Sequence, residues 1–326
     1  MKTIVIVSEL KDSTTDLVSK WVLNENAEVI RIDIDFPELK IIEISTENLI
    51  VFTNFGVQTI NKDCVVWFRR AMYFNVLTFS NYKEELKKQY HDRVHNFIEF
   101  RETVFSFLKW LLINCKTIAN PFIDNNINKI EVLEIANSIG IQIPKYCISS
   151  SKEHILNKFS NGEFIAVKYF NSYQFTTDDN KVFQCYTNKV SYEQIENYKG
   201  EFANLIFQEY IEKKYELRIF FIENKYFAMA IFSQGDSQTS IDFRKYNFNL
   251  PNRTSRATLP KQFLEKLKLL SKKLKIITGS YDVIVDKDDN FILLEVNPNG
   301  QFGMVSFPCY YNIEYYIAKK KLLKCL

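Results

Sequence analysis

Residues 280–300 read SYDVIVDKDDNFILLEVNPNG, two apolar runs around a Lys-Asp-Asp-Asn turn, and no other segment restricts the fold of the chain as strongly. A turn of that composition between hydrophobic runs specifies a β-hairpin. With Lys287 to Asn290 as the loop, Asp286 faces Phe291, Ile284 faces Leu293 and Asp282 faces Glu295, because antiparallel partners step apart one residue at a time. Asn297, two residues beyond Glu295, shares its face. Tyr281, Val283, Val285, Ile292, Leu294 and Val296 take the opposite, apolar face. Two carboxylates opposed on a hydrophobic hairpin repel and lose hydration unless a cation lies between them. A hard cation fits: a few oxygen ligands leave most of an octahedral shell to water and phosphate oxygens, which is how Mg²⁺ is held. The competing reading makes Asp282 a strand-end residue and Glu295 half of a surface ion pair.

Upstream, short β-rich runs alternate with helical stretches: a strand at 3–7, a helix at 16–23, strands at 29–34, 41–44, 49–52 and 65–68, the last closed by Arg69-Arg70. A long amphipathic helix is predicted over 82–114, with Phe97, Phe100, Val104, Phe107, Leu108 and Leu111 on one stripe. The first domain ends near Ala119-Asn120-Pro121. A helix from Lys129 to Ile139, stopped by Gly140, and strands at 146–148, 164–169 and 182–186 follow. Strands at 205–210, 216–222 and 226–232, a helix at 260–275 and the hairpin complete an α/β (α+β) chain. Its expected divisions are 1–119, 120–204 and 205–326.

Only 8 glycines occur in 326 residues, far below the roughly 7% of average usage, and neither GxGxxG nor GxxxxGK[ST] is present. A phosphate site therefore has to be built from side chains and not from a glycine loop. The net charge of +3, from 42 Lys+Arg and 39 Asp+Glu, supplies no field that predicts nucleic-acid or membrane binding. The N-terminal MKTIVIVSEL reads as a strand, not a signal peptide, and the apolar stretch near Phe105 to Cys115 is too short to cross a bilayer. Six scattered cysteines without a CxxC pair suit reduced thiols of a cytoplasmic protein.

The hairpin resembles the end of the ATP-grasp superfamily, in which a metal-binding acid is followed by Glu-x-Asn-Pro. The resemblance implies an ATP-grasp fold with an N-terminal α/β pre-ATP-grasp domain, a central domain and a C-terminal domain, and ATP with Mg²⁺ as cofactors. It assigns Asp282, Glu295 and Asn297 to the metal. Lys129 and Lys168 match the two lysines that reach the nucleotide phosphates. Gln208, Glu209, Tyr210 and Ile211 match the hinge whose backbone reads adenine, and Glu216 the acid that takes the ribose hydroxyls. Arg244, in Asp242-Phe243-Arg244, matches the arginine at the γ-phosphate and acyl-phosphate. Arg218, on the same side as Glu216, is the candidate for holding an acidic side chain, since a guanidinium grips a carboxylate bidentately.

Within the superfamily the sequence is most similar to the ligases that macrocyclise graspetides, the microviridin-like peptides, and to their grasp-with-spasm maturase branch. Arg69-Arg70 after Trp67, Asp242 to Tyr246, Leu259-Pro260, and Glu295 to Phe302 continuing to Pro308-Cys309 and Glu314 carry this likeness. It implies phosphorylation of Asp or Glu side chains in a ribosomal precursor peptide with a leader and an acidic core, then ester or amide ring closure by Ser, Thr or Lys. It also implies a homodimer, with no nucleic-acid or membrane partner. A ligase adding free amino acids shares every nucleotide-site residue, whereas a non-catalytic nucleotide-binding protein is expected to have lost an acid or a lysine, and all are present here. Where many relatives have glycines over the phosphates, this chain has Asn171-Ser172-Tyr173-Gln174 and Thr176-Thr177-Asp178-Asp179.

Several residues carry two readings. Lys168 between Val167 and Tyr169 is explained by a phosphate, or as an exposed edge residue if its neighbours point to the core. Lys129 on a helix face, and Arg218 and Arg244 in ion pairs, have ordinary structural alternatives. His91 and His95 are spaced for a shared metal but lack a third ligand. Arg69-Arg70 either form a core-edge ion pair or grip an acidic peptide.

Overall fold

The computed structural model describes residues 3–71, 90–170, 174–176, 182–184, 186–245 and 247–325. The expected start of the long helix at Tyr82, the segments 171–173 and 177–179 over the phosphates, and Tyr246 lie outside the described residues. So do the side chains of His91, His95 and Phe97. The architecture is mixed α/β, in two compact units: 1–127 with 275–278 and 301–326, and 128–274 with 279–300. The expected third division, 205–326, is thus shared between the units.

In the first unit, β1 (Thr3–Ser8), β2 (Glu28–Asp33), β6 (Val65–Phe68) and β7 (Lys116–Ile118) form a parallel sheet in the order β2-β1-β6-β7. Helix α1 (Ser13–Leu23) connects β1 to β2; Asp12 caps it by accepting from the Thr14 N–H at 3.0 Å, satisfying one of its orphan donors. A second sheet pairs β3 (Lys40–Ile44), β4 (Asn48–Thr53) and β5 (Gly56–Asn61), the last of which the sequence reading did not anticipate. Helix α2 (Tyr90–Asn114) buries Val104, Phe107, Leu108 and Leu111 against Val5, Val7, Val66 and Phe68, with Leu49, Val51 and Ile60 in the same core. Phe100, placed on that stripe by periodicity, is exposed. Residues 301–326 add a helix (Gly303–Cys309), a short helix (Ile313–Tyr316) and a π-helical turn (Ile317–Leu322); the latter two pack on α1.

The short α3 (Pro121–Asp124) still belongs to the first unit, and the second opens with α4 (Lys129–Ser138). Asn128 caps α4 by accepting from the Ile130 and Glu131 N–H groups at 2.8 and 3.4 Å. The helix ends at Gly140, whose φ of +74° is left-handed. That conformation lets the Ile141 N–H return to Ala136 O at 2.9 Å and Gly140 N–H to Asn137 O, closing the last carbonyls where a side chain would be strained.

A four-stranded antiparallel sheet runs β12-β9-β13-β8: β8 is Tyr146–Ser149, β9 Phe164–Lys168, β12 Asn188–Ser191 and β13 Leu205–Glu209, while β10 (Gln174–Thr176) and β11 (Val182–Gln184) form an antiparallel pair of their own. One face buries Ile165 and Phe207, with Val167 packed beside them, against Ile155 and Ile195 of α5 (Lys152–Lys158) and α6 (Tyr192–Asn197). Alternation then turns Ala166, Lys168 and Gln208 to the other face. The strands β14 (Lys213–Ile222), β15 (Lys225–Phe232), β16 (Arg253–Ala257), β17 (Thr278–Asp286) and β18 (Phe291–Asn297) form a sheet ordered β16-β15-β14-β17-β18. Helix α7 (Lys261–Leu274) buries Phe263, Leu267, Leu270 and Leu274, an i, i+4, i+7 stripe. Its Ser271 hydroxyl lies 2.6 Å from the Tyr281 hydroxyl, fixing that face of β17 as core.

The hairpin pairs Asp282 with Glu295, as expected, but by a different route. The turn spans five residues, Asp286 to Asn290, and Val285 faces Phe291. Asp286 organises the turn: its carboxylate accepts from the backbone N–H groups of Asp288 at 2.9 Å and Asn290 at 2.8 Å. A bulge opposite Asp282/Val283 then restores the offset, so that Val283 faces Leu293 while Asp282 faces Glu295. The extra residue is Leu294, which leaves the core face assigned to it and lines the pocket, whereas Leu293 is fully buried. Bulges re-aim side chains in this way.

Candidate nucleotide and metal site

The inner faces of the second unit's two sheets enclose a pocket lined by Lys129, Lys168, Gln208, Glu209, Tyr210, Ile211, Glu216, Arg244, Asp282 and Glu295. These are all of the site residues expected from the sequence except Arg218 and Asn297.

At one end cations converge on two acids. Lys129, the first residue of α4, places Nζ 3.0 Å from Glu295 Oε2. Burial alone would push the Glu295 carboxyl up; Lys129, Lys168 and Arg244 overcome it and hold the group well below the usual range. Lys168, half-buried, has its pKa lowered by burial, an effect opposed by Glu295 and reinforced by Lys129 and Arg244. The alternative in which Lys168 is an exposed edge residue does not describe this position. Arg244 is held by Asp242, whose carboxylate accepts from Nε at 2.8 Å, from NH2 at 2.6 Å and from the Arg244 backbone N–H at 3.1 Å. Asp242 Oδ2 also accepts from the Thr187 N–H at 3.1 Å. This fork raises the Arg244 pKa.

Asp282 moves the opposite way from Glu295. Burial pushes its carboxyl up to about 6, Arg218 lowers it and the facing Glu295 raises it again. Arg218 NH1 donates to both Asp282 oxygens, at 2.5 and 2.6 Å. Arg218 is therefore engaged with Asp282 and is not part of the pocket lining. Asn297 sits at the exposed end of β18, where its side-chain oxygen accepts from the Asn299 N–H at 3.0 Å. The structure brings Asp282 and Glu295 together without bringing Asn297 into the lining. Among the described residues no third His, Cys, Asp or Glu joins them. Two opposed carboxylates are a donor set of hard oxygens that fits Mg²⁺ completed by water and phosphate.

The other end of the pocket is less charged. Gln208 is buried and pairs across the ladder with Ala166. Glu209 is exposed; its backbone N–H donates to Lys145 O at 2.8 Å and its carboxylate accepts from the Lys145 N–H at 3.3 Å. The Tyr210 N–H donates to Phe164 O at 3.0 Å, and Lys189 Nζ lies 4.1 Å from the Tyr210 ring centroid. Glu216 is buried, with Oε1 accepting from Lys213 Nζ at 2.5 Å and from the Ser233 hydroxyl at 3.2 Å.

Sequence reasoning missed Lys213, Asp242 as the partner of Arg244, and Leu294. The signal for Asp242 was available, since an acid two residues before an arginine is a ready bidentate partner. Lys213 offered none, because Lys213-Lys214 reads as a solvated pair. Arg69 and Arg70, in the first unit, take the ion-pair form of their two readings. Arg69 Nε donates to Asp12 Oδ2 at 3.1 Å, Arg70 pairs with Glu9, and the Arg69 guanidinium lies 5.4 Å from the Phe302 ring centroid.

Residues 126–320 match the RimK-like ATP-grasp domain family. No curated protein matches the chain. Among solved structures, a Chryseobacterium gregarium RiPP-associated ATP-grasp ligase in complex with ADP and a leader and core peptide is 25% identical. It covers 100% of this chain and 98% of its own, with a TM-score of 0.83. The macrocyclase MdnC of Microcystis aeruginosa, bound to the precursor peptide MdnA, is 22% identical over 100% of both chains, with a TM-score of 0.76. The ATP-grasp ligase PsnB, complexed with a minimal precursor, Mg and ADP, is 14% identical over 99% of this chain and 97% of its own, at 0.73. Among the described residues no helix is long and apolar enough to cross a membrane.

Proposed function

The chain belongs to the RimK-like ATP-grasp family, and from that premise we propose that it is an ATP-dependent ligase that macrocyclises a ribosomal precursor peptide. The observation that carries the nucleotide part is the convergence of Lys129, Lys168 and Arg244 on the Asp282–Glu295 pair in one pocket. The peptide part is supported by the likeness to a leader- and core-binding ligase along the whole chain, including residues 1–125, which lie outside the family match.

In this reading the γ-phosphoryl group of ATP passes to an Asp or Glu side chain of the peptide, and a Ser or Thr hydroxyl or a Lys amine of the same peptide displaces phosphate from the acyl-phosphate. Lys129, Lys168 and Arg244 offset the charge gathered in both steps, as preorganised cations do in a water-poor site. Asp282 and Glu295 are the residues that would hold Mg²⁺, which when bound polarises phosphoryl oxygens. Gln208 to Ile211 take the base and Glu216 the ribose hydroxyls, with Lys213 and Ser233 fixing one carboxylate oxygen. Arg218, paired with Asp282, is assigned to the acidic side chain. We assign the active form to a cytoplasmic homodimer, checked by light scattering of the purified chain.

Each ring removes one water and lowers the peptide mass by ~18 Da, whereas addition of a free amino acid raises it. The test is intact mass of an acidic precursor peptide, sought among the short reading frames beside the gene, after incubation with enzyme and Mg·ATP. Loss of water per ring, reversed by mild base for esters, is expected. A mass gain, or turnover that responds to free amino acids and never to the peptide, moves the enzyme to the amino-acid ligase reading.

A further inference from the structure

Two thiols that the nucleotide reading does not use lie side by side in the first unit. Cys64 immediately precedes β6 and Cys115 immediately precedes β7. These parallel neighbours pair Val65 with Lys116, Val66 with Thr117 and Trp67 with Ile118, so one step back along the same register sets Cys64 beside Cys115. Paired strands lie about 4.8 Å apart, inside the Cα separation of about 4.4–6.8 Å that a disulfide spans. The side chains meet as well: the two sulfurs share a hydrogen bond. Cys64 is buried in the core of the first unit, and Cys115, half-buried, packs against that core.

The two sulfurs are not equivalent. The hydrogen bond from the Cys64 thiol holds the Cys115 pKa below its ordinary value; burial opposes this and the Lys62 ammonium supports it. The same hydrogen bond, reinforced by burial, pushes the Cys64 thiol up. Cys115 Sγ also lies 3.9 Å from Asn61 O. A thiolate is the reactive form of cysteine, and lowered pKa together with access selects the thiol that reacts first. Cys115 has both, and the neighbouring Cys64 is placed to resolve what forms on it.

We propose that Cys64 and Cys115 are a modification site for hydroperoxides, closing to a reversible intramolecular disulfide that clamps β6 to β7. With hydrogen peroxide, the Cys115 thiolate attacks one peroxide oxygen, the O–O bond breaks, and the departing hydroxide takes a proton from solvent and leaves as water. The product is a sulfenic acid. Cys64 sulfur then attacks Cys115 sulfur: the S–S bond forms, the S–O bond breaks, and the hydroxyl leaves as a second water with the Cys64 proton. Two thiols are oxidised to one disulfide and the peroxide is reduced to water. A dithiol reductant reverses the step by exchange.

Residues 65–114 lie between the two cysteines, and closing so long a segment restricts the unfolded chain. In the folded chain the bridge joins the start of β6 to the last turn of α2, where the Cys115 N–H donates to Leu111 O at 3.0 Å. The nucleotide pocket has no cysteine in its described lining, so this inference is independent of the proposed function.

The experiment treats the intact, reduced protein with hydrogen peroxide, alkylates the remaining thiols and maps the peptides without reductant. A peptide pair joined through Cys64 and Cys115, lighter by two hydrogens and released by dithiothreitol, is expected. The oxidised protein is expected to have a higher urea midpoint, its unfolded population reduced about tenfold or more. In Cys64→Ala, Cys115 is expected to stop at the sulfenic acid and be trapped by dimedone; in Cys115→Ala, Cys64 is expected to remain a free thiol. Recovery of both wild-type cysteines in alkylated form, or joined to other cysteines or to a second chain, overturns the pairing. A linked peptide with an unchanged urea midpoint overturns the clamp. Oxidised Cys64 in Cys115→Ala, or untrapped Cys115 in folded Cys64→Ala, overturns the role of Cys115 as the attacking thiol. Should Cys64→Ala not fold, the wild-type peptide map alone decides the pairing.

Discussion

Arg69 in the first unit and Arg244 in the second each pair with a buried aspartate, yet Arg69 is 3% exposed and Arg244 36%. Their pKa values move in opposite directions. For Arg69 burial dominates and brings the value down to about 10, with Asp12 only partly opposing it. For Arg244 the hydrogen bonds to Asp242 dominate over burial and raise it. The Arg69–Asp12 pair is closed: Asp12 also caps α1, and Phe302 covers the guanidinium. The Asp242 fork instead presents Arg244 to a pocket lined by three lysines and four further acids. Similar residue types therefore serve different ends, according to whether the charge is sealed among side chains or offered to a cavity. A sealed pair shapes the fold, since breaking it leaves a buried charge, whereas an offered charge can meet a ligand.

The strongest way to break that distinction is at the open site. Glu295→Gln is expected to lower Mg²⁺-dependent ATP turnover by about a hundredfold or more, with little change in the thermal melt. Lys168→Ala is expected to remove most of the rise in melting temperature caused by Mg·ATP, by mass action. ADP release read beside the melt decides both. Wild-type turnover in folded Glu295→Gln, or an undiminished ATP shift in Lys168→Ala, removes the corresponding residue from the site.

At the sealed site the signature reverses. Arg69→Met leaves the buried Asp12 carboxylate with Arg70 at 3.7 Å and its Thr14 contacts and is expected to cost up to about 3–5 kcal/mol in denaturant unfolding, while the folded fraction still responds to Mg·ATP. An unchanged unfolding midpoint together with lost peptide affinity would instead assign Arg69-Arg70 to gripping the peptide.

The open site was the more legible of the two. Lys168 stood out as a lysine in an apolar strand, and Asp282 and Glu295 as acids in an apolar hairpin, because polar residues at core-like positions break a local pattern. Their pairing was reached with a turn one residue too short and no bulge, two differences that cancel at Asp282. A bulge depends on what the strand packs against, here including the Leu293 N–H to Gln142 O bond at 2.9 Å, and no property of the hairpin alone contains that contact. The sealed cluster joins Asp12, Arg69 and Phe302, far apart in sequence, so its closure is a tertiary fact. For the same reason the return of residues 301–326 to the first unit was not legible.

Asp124 sharpens the contrast from the first unit, through pH. Burial pushes its carboxyl up to about 7, against smaller lowering effects of the Asn120 backbone and Arg69. A carboxyl whose folded pKa exceeds its unfolded value of 3.8 binds more protons in the folded state between those two values. Its stabilising contribution is thus complete below about 3.8 and lost as pH rises through about 7. Asp124→Asn removes this slope. Relative to wild type it is expected to gain stability at pH 8 by a few kcal/mol at most, and to gain less at pH 5. Urea midpoints at the two pH values check this; an equal difference at both excludes titration of Asp124 as the cause.

Two adjacent lysines give the smallest expected effect and the cleanest control for burial. Lys213 lines the pocket but is buried: its side chain is 3% exposed and its ammonium is bound to Glu216 and to Ile241 O. Lys214 pairs with Asp289 at 2.8 Å, but the two side chains are 51% and 65% exposed. Ion pairs in that setting exchange one set of water contacts for another and are screened by salt. The distance alone would rank the Lys214 pair close to the Lys213 pair; exposure separates them. Lys214→Ala is therefore expected to leave the unfolding midpoint and the Mg·ATP shift unchanged within error, at low salt and at high salt alike. A clear loss in low salt that fades as salt is added would mean that exposed charge contributes to this unit, and the distinction between buried and exposed charges would need redrawing around ionic strength.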